Sequence, residues 1–322
     1  MKERQGYLDA AKGIGMLLIV GAHTGVSFPI PMLSNVQVAL FFLISGLFFI
    51  PKSSLPFKDY LKGDVFRILV PFAIFYILSY MLFYVGKVIV PGFTEMTEAN
   101  GILDCFTQKQ YFNGPIWFLL SLFWIRLFCY FIERYVSKEW IRAAIALCVG
   151  LLGFLLGKYE IDLPMNLDTA LTFTPVFYVG TVITRLSLLN RYVKIETGLF
   201  SGIFYMSCIP ASMAIRDSLN RYAGGGYFSL IYFCLLLCVA VLFFSKTFLN
   251  KSVLLSFIGR NSMWIMCTHH LVYRPVKIVL ERFLDIQTMN IWVMVTTLIL
   301  CCATAPLVER YMPFIIGVRN KK

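Results

Sequence analysis

Apolar residues gather along this chain in long, nearly unbroken runs, ended by charged residues, glycine or proline. A run of that kind predicts a helix that is apolar on all sides, the form a lipid bilayer selects. Ten such segments are read, at about 10–30, 33–50, 67–87, 115–134, 142–157, 167–185, 195–214, 226–245, 254–273 and 288–309. Several are short against the roughly 20 residues a span needs. Pro29, Pro31, Pro51, Pro91, Pro164 and Pro275 mark segment ends. Pro71, Pro175, Pro210 and Pro306 fall inside segments and predict kinks there. No internal repeat, low-complexity tract or separate soluble domain is visible. Residues 1–322 therefore read as one all-α transmembrane bundle of about ten helices.

Composition narrows the class. Of 322 residues, 59% are apolar and 14% are charged, against about 25% charged in an ordinary soluble domain. This excludes a disordered chain, a collagen-like repeat, a disulfide scaffold and an ordinary soluble enzyme. The net charge of +12 is explained by the positive-inside rule rather than by nucleic acid, since no long basic run occurs. With the N-terminus inside, 19 of the 29 Lys and Arg fall in inner loops and 8 in outer ones. That bias places both termini in the cytoplasm and requires an even number of spans. The N-terminus carries Lys12 and His23 inside its first run and does not read as a secretory signal. The nine cysteines show no CxxC and read as small packing residues.

The first segment holds the first candidate chemistry. Lys12 and His23 are eleven residues apart, so on a helix they share one face, about 16 Å apart along the axis. Asp9 stands three residues before Lys12 and can pair with it. Ionisable residues inside spans are costly and usually face an internal cavity. A cation at the cytoplasmic end and an imidazole deep on the same face suit one elongated anionic ligand, and coenzyme A has that shape. His269 lies at a matching depth on the ninth segment, whereas His270 points roughly 100° away and need not face the same cavity. No metal is expected: zinc takes three or four protein ligands, and nothing in the spacing joins Asp168 or Glu160 to the histidines. Arg126 is a further buried charge, which contacts the donor or pairs with an acid such as Glu309.

These residues resemble the acyltransferase-3 family of integral-membrane O-acyltransferases. The family's opening signature is matched by Leu8, Asp9, Lys12 and Gly13, with His23 following the basic residue after ten positions. Phe41 through Phe49, with Ser45-Gly46 inside, is similar to its aromatic Ser-Gly helix. Lys62 through Pro71 resembles its basic run before a proline, Gly114 through Leu119 its Trp-Phe-Leu segment, and Gly259-Arg260-Asn261-Ser262 through His269 its late Ser-to-His segment. Two departures stand out: Lys12 replaces a common Arg, and His270 replaces a common Pro.

The resemblance implies transfer of an acyl group, acetyl above all, from cytoplasmic acyl-CoA to a hydroxyl of a cell-surface glycan or its lipid-linked precursor. It implies a multi-pass protein of a bacterial-type inner membrane, with acetyl-CoA as donor substrate and no permanently bound cofactor. The expected partners are the donor, the sugar acceptor and membrane lipid. On this reading His23 is the general base, and His269, also placed in the catalytic site, binds the acceptor or acts as a proton-transfer partner. Lys12, Arg67, Lys62 and Arg260 hold the CoA phosphates, while Asp9, Ser45, Asn113, Trp117 and Arg126 support them. The outer loops 88–114, 215–225 and 274–287 help select the acceptor. A multi-span transporter or exporter of a polysaccharide or small anion is the competing class.

Overall fold

The computed structural model describes residues 6–26, 33–50, 54–89, 103, 106, 113–191, 194–212 and 227–319. Among them every regular element is helical. In chain order these are α1 (Gly6–His23), α2 (Leu33–Leu47), α3 (Phe57–Asp64), a π turn (Val65–Leu69), α4 (Val70–Ile89) and α5 (Trp117–Tyr135). Then come α6 (Glu139–Lys158), α7 (Leu167–Arg185), α8 (Leu188–Arg191), α9 (Ile195–Ser212) and α10 (Tyr227–Phe248). The last three are α11 (Val253–Arg260), α12 (Ser262–Leu280) and α13 (Ile286–Tyr311). Among the described residues five stretches, 57–86, 114–135, 139–158, 164–185 and 288–311, are long and apolar enough to cross a membrane.

Burial sorts these five. The apolar windows of 114–135 and 164–185 are each 72% buried, whereas those of 57–86, 139–158 and 288–311 are 39%, 28% and 33% buried. α5 and α7 thus form the middle of the bundle, and α4, α6 and α13 its flanks. The flanks turn large apolar side chains such as Met81, Leu152 and Ile299 outward, as lipid contact requires and water contact would penalise. The interior is aromatic: Phe42 stacks on Phe118 at 4.7 Å, and Tyr60 on Tyr130 at 4.3 Å.

Two helix crossings rest on glycine. α1 lies against α11, where a Cβ on Gly259 would strike the Asp9 carbonyl and one on Gly13 the Leu255 carbonyl. α2 lies against α7 through Gly46 and Gly180, each of which faces the other's backbone. Without a hydrophobic force between apolar helices in lipid, close backbone approach of this kind supplies the packing energy.

Several boundaries differ from the sequence reading, and the third segment, read from 67, is already helical from Phe57. The first segment ends at His23 rather than at residue 30, because Gly25 takes a left-handed φ of 76° that stops the helix. The ninth segment is broken at Asn261 into α11 and α12. Pro275 does not end it: the helix runs on to Leu280, giving up one backbone bond at the proline. Part of the expected loop 274–287 is therefore helix. The loop 215–225, most of 88–114, Cys105 and the end prolines Pro29, Pro31, Pro51 and Pro91 lie outside the described residues. Cys129, Cys234, Cys238, Cys267 and Cys301 are buried, in keeping with a packing role.

Candidate active site

α1 sits among α2, α10, α11, α12 and α13, and its Lys12–His23 face is turned toward α12. At one end of that face Lys12 donates to the Asp9 carboxylate at 3.2 Å, the pairing expected from their spacing. Asp9 is buried, while Lys12 keeps a quarter of its side chain accessible. Lys12 opens onto a cavity of about 290 Å³ walled by Met16, Ser45, Arg126, Ser262 and Met266 among others. Its far wall includes Met266, one turn before His269 on α12.

At the other end all three histidines of the chain meet. The His23 ring lies 4.6 Å from that of His270 and 5.3 Å from that of His269, centroid to centroid. His23 Nδ1 and His270 Nε2 are 3.2 Å apart, in hydrogen-bond contact. His269 Nδ1 is 2.8 Å from the Ile265 carbonyl oxygen. A carbonyl only accepts, so Nδ1 of His269 carries the proton and its Nε2 holds the lone pair. That Nε2 is buried with no partner, as is Nδ1 of His270. His23 is exposed, and the other two are buried behind it. The expectation that His270 need not share the cavity is thus corrected. His23 projects between its two neighbours, so an angle of roughly 100° on α12 brings both rings onto it instead of separating them.

The walls explain why the rings hold their places. Asn113 is fully buried and donates to the Cys267 carbonyl of α12 at 2.8 Å and to Ser79 of α4 at 3.1 Å. It pins the tight turn Gly114–Ile116 against α12, where a Cβ on Gly114 would lie 3.5 Å from the His270 ring. Beyond His23 the chain turns, and Asn290 of α13 donates to the Gly25 carbonyl at 2.7 Å. Trp117 begins α5 directly after the Gly114–Ile116 turn and is buried, 9% exposed, without lining the Lys12 cavity.

Arg126 does not pair with Glu309. Its Nε and Nη2 grip the two carboxylate oxygens of Asp64, both at 2.7 Å, and Glu309 is exposed on α13. Asp64 closes α3 directly before the π turn. Nη1 of Arg126 reaches Ser45 at 3.4 Å on the cavity side. Ser45 is therefore a polar wall residue, and its neighbour Gly46 makes the α2–α7 contact.

The remaining basic residues lie elsewhere. Lys62 lines a separate groove of about 570 Å³ with Lys58, Phe66 and Arg319. Arg67 is exposed, and Gly317 packs on its backbone. Arg260 is exposed, with its guanidinium 5.9 Å from the Phe257 ring. None of the three lines the Lys12 cavity. Sequence reasoning missed His270 and Asp64. The signal for Asp64 was a lone acid directly before an apolar run; that for His270 was the His-His pair itself.

The acyltransferase-3 family model, an acyltransferase domain, matches residues 5–309. The chain belongs to that family. The match covers both Lys12–His23 and the His269–His270 pair, and it makes the protein an integral-membrane acyltransferase. No curated protein and no solved structure matches it.

Proposed function

We propose that this acyltransferase moves an acetyl group from cytoplasmic acetyl-CoA to a hydroxyl of a cell-surface glycan or its lipid-linked precursor. On this reading it crosses a bacterial-type inner membrane ten times, with both termini in the cytoplasm. The observation that carries the proposal is the single α1 face with a lysine-walled cavity at one end and an accessible imidazole at the other. On this reading a CoA phosphate sits at Lys12 as a charge-assisted partner, and the pantetheine arm runs along the same face of α1 toward His23.

A sugar hydroxyl is a weak nucleophile until its proton leaves. His23 takes that proton at Nε2, which requires its own proton to sit on Nδ1. His270 favours this tautomer, because its Nε2 can accept from His23 Nδ1 while its Nδ1 holds the other hydrogen. As His23 becomes an imidazolium, the Nδ1–H bond to His270 strengthens and steadies the new charge. The hydroxyl oxygen forms its bond to the acyl carbon, the thioester C–S bond breaks, and the CoA thiolate leaves and regains a proton. The buried rings behind His23 keep bulk water from one side of the exchange.

The test is mass analysis of surface glycan from cells carrying the wild-type chain or His23→Ala. The wild type adds acetyl groups, and His23→Ala, inserted at equal level, adds none. Full acetylation by that variant would remove His23 from the mechanism. An unchanged glycan in both strains would remove the acceptor class.

A further inference from the structure

The acid–base role engages His23 and, through it, His270, yet a third ring, His269, converges on them with an unpartnered nitrogen. We propose that His23, His269 and His270 form a binding site for a divalent transition ion, with zinc the best fit, and that the bound ion switches off the base. The ligand set is one nitrogen from each ring, all within 4.8 Å of one another. Tetrahedral zinc with bonds of about 2.0–2.1 Å sets its nitrogens roughly 3.3 Å apart. The His23 Nδ1 to His270 Nε2 separation of 3.2 Å already meets this, and His269 has to close by no more than about 1.5 Å by the same geometry.

Ring chemistry supports the geometry. His269 is fully buried, and its Nδ1–H is spent on the Ile265 carbonyl. Metal-ligating histidines are oriented in just this way, the far N–H held by a backbone oxygen. The lone pair on its Nε2 has no partner in the protein, an unmet need that a cation fills. His270 supplies a second buried ring, and His23 stands on the accessible side, leaving the fourth position open to water or an anion. Arg274, one turn past His270, adds positive charge that opposes a bare cation, so the fourth position takes an anion that offsets it. The sequence argument against metal was a shortage of ligands. His270 removes it.

Occupancy and base catalysis exclude each other at His23. A neutral imidazole has one lone pair. Binding an ion at Nδ1 moves the ring proton from Nδ1 to Nε2, with no net proton gained or lost, and Nε2 then has nothing to accept with. The ion site stands on geometry alone; the switch rests on the function proposed above.

The whole protein, purified in detergent and stripped with chelator, is dialysed against zinc sulfate and its metal content measured by mass spectrometry. One zinc per chain is expected in the wild type, and at most a tenth of that in His270→Ala and in His269→Gln, with gel filtration showing each variant folded. Cobalt(II) in place of zinc should give the visible bands of a tetrahedral nitrogen site. No bound zinc in the wild type, retention by both variants, or a cobalt–thiolate band from Cys267 would overturn the site. Stoichiometric zinc should also suppress acyl transfer at least tenfold, with recovery on chelation. Transfer at full rate with zinc bound at the histidines keeps the ion site and removes the base from His23.

Discussion

Asp64→Ala is the sharpest probe of the bundle's interior. Asp64 and Arg126 are each 4% exposed and share two hydrogen bonds of 2.7 Å. Removing the carboxylate leaves a guanidinium among apolar helices. Its remaining partners are a 3.4 Å bond to Ser45 and the rings of Phe49 and Tyr60 at 5.5 and 6.0 Å. Ring contacts are worth about 0.5–2 kcal/mol, well short of what is lost, so Asp64→Ala should cost about 3–5 kcal/mol of stability. Arg126→Met should cost a similar amount by stranding the carboxylate. The double variant removes both charges together and should fall far short of the sum, because an apolar replacement of a buried pair is close to neutral. Reversible unfolding by sodium dodecyl sulfate in mixed micelles, followed by tryptophan fluorescence, measures all four proteins. A cycle in which the two losses simply add would refute the reasoning, as would a loss under about 1 kcal/mol for Asp64→Ala.

Lys12→Ala removes one charge-assisted bond to a phosphate, worth about 1.5–3 kcal/mol. It should raise the KM for acetyl-CoA roughly tenfold to a hundredfold with kcat little changed; initial-rate kinetics on purified protein read this, and an unchanged KM would take the donor away from Lys12. Gly46→Leu forces a side chain into the backbone of Phe177 and Gly180 and should destabilise by at least about 1–3 kcal/mol in the same unfolding assay. Gly63→Ala, where a Cβ meets nothing within 4 Å, should instead stabilise by about 0.5–1 kcal/mol. Equal effects at the two glycines would count against the α2–α7 contact.

The helical class and most helix positions were legible because a run of apolar residues leaves the backbone only itself to bond with in lipid. Lys12, Asp9 and His23 were legible because the helix period places residues three and eleven apart on one side. The limits of that reasoning are equally physical. Pro275 was read as a segment end, yet the helix runs through it, since packing decides what one lost hydrogen bond costs; Gly25, which the apolar run passes over, ends α1 early. Arg126 was seen as a buried charge, but its partner on α3 is more than sixty residues earlier in the chain, a pairing no local period encodes.

By itself, then, the sequence determined what kind of solvent the chain must meet, where it is helical, and which face of α1 carries charge and imidazole. Only the tertiary structure decided that α12 lies along that face, that His270 joins His23 and His269, and that Lys12 has a cavity while Lys62, Arg67 and Arg260 stand apart from it. Periodicity is a property of one helix. Which faces meet depends on where two backbones can approach, and here that was set by glycine contacts such as Gly13 and Gly259 between α1 and α11.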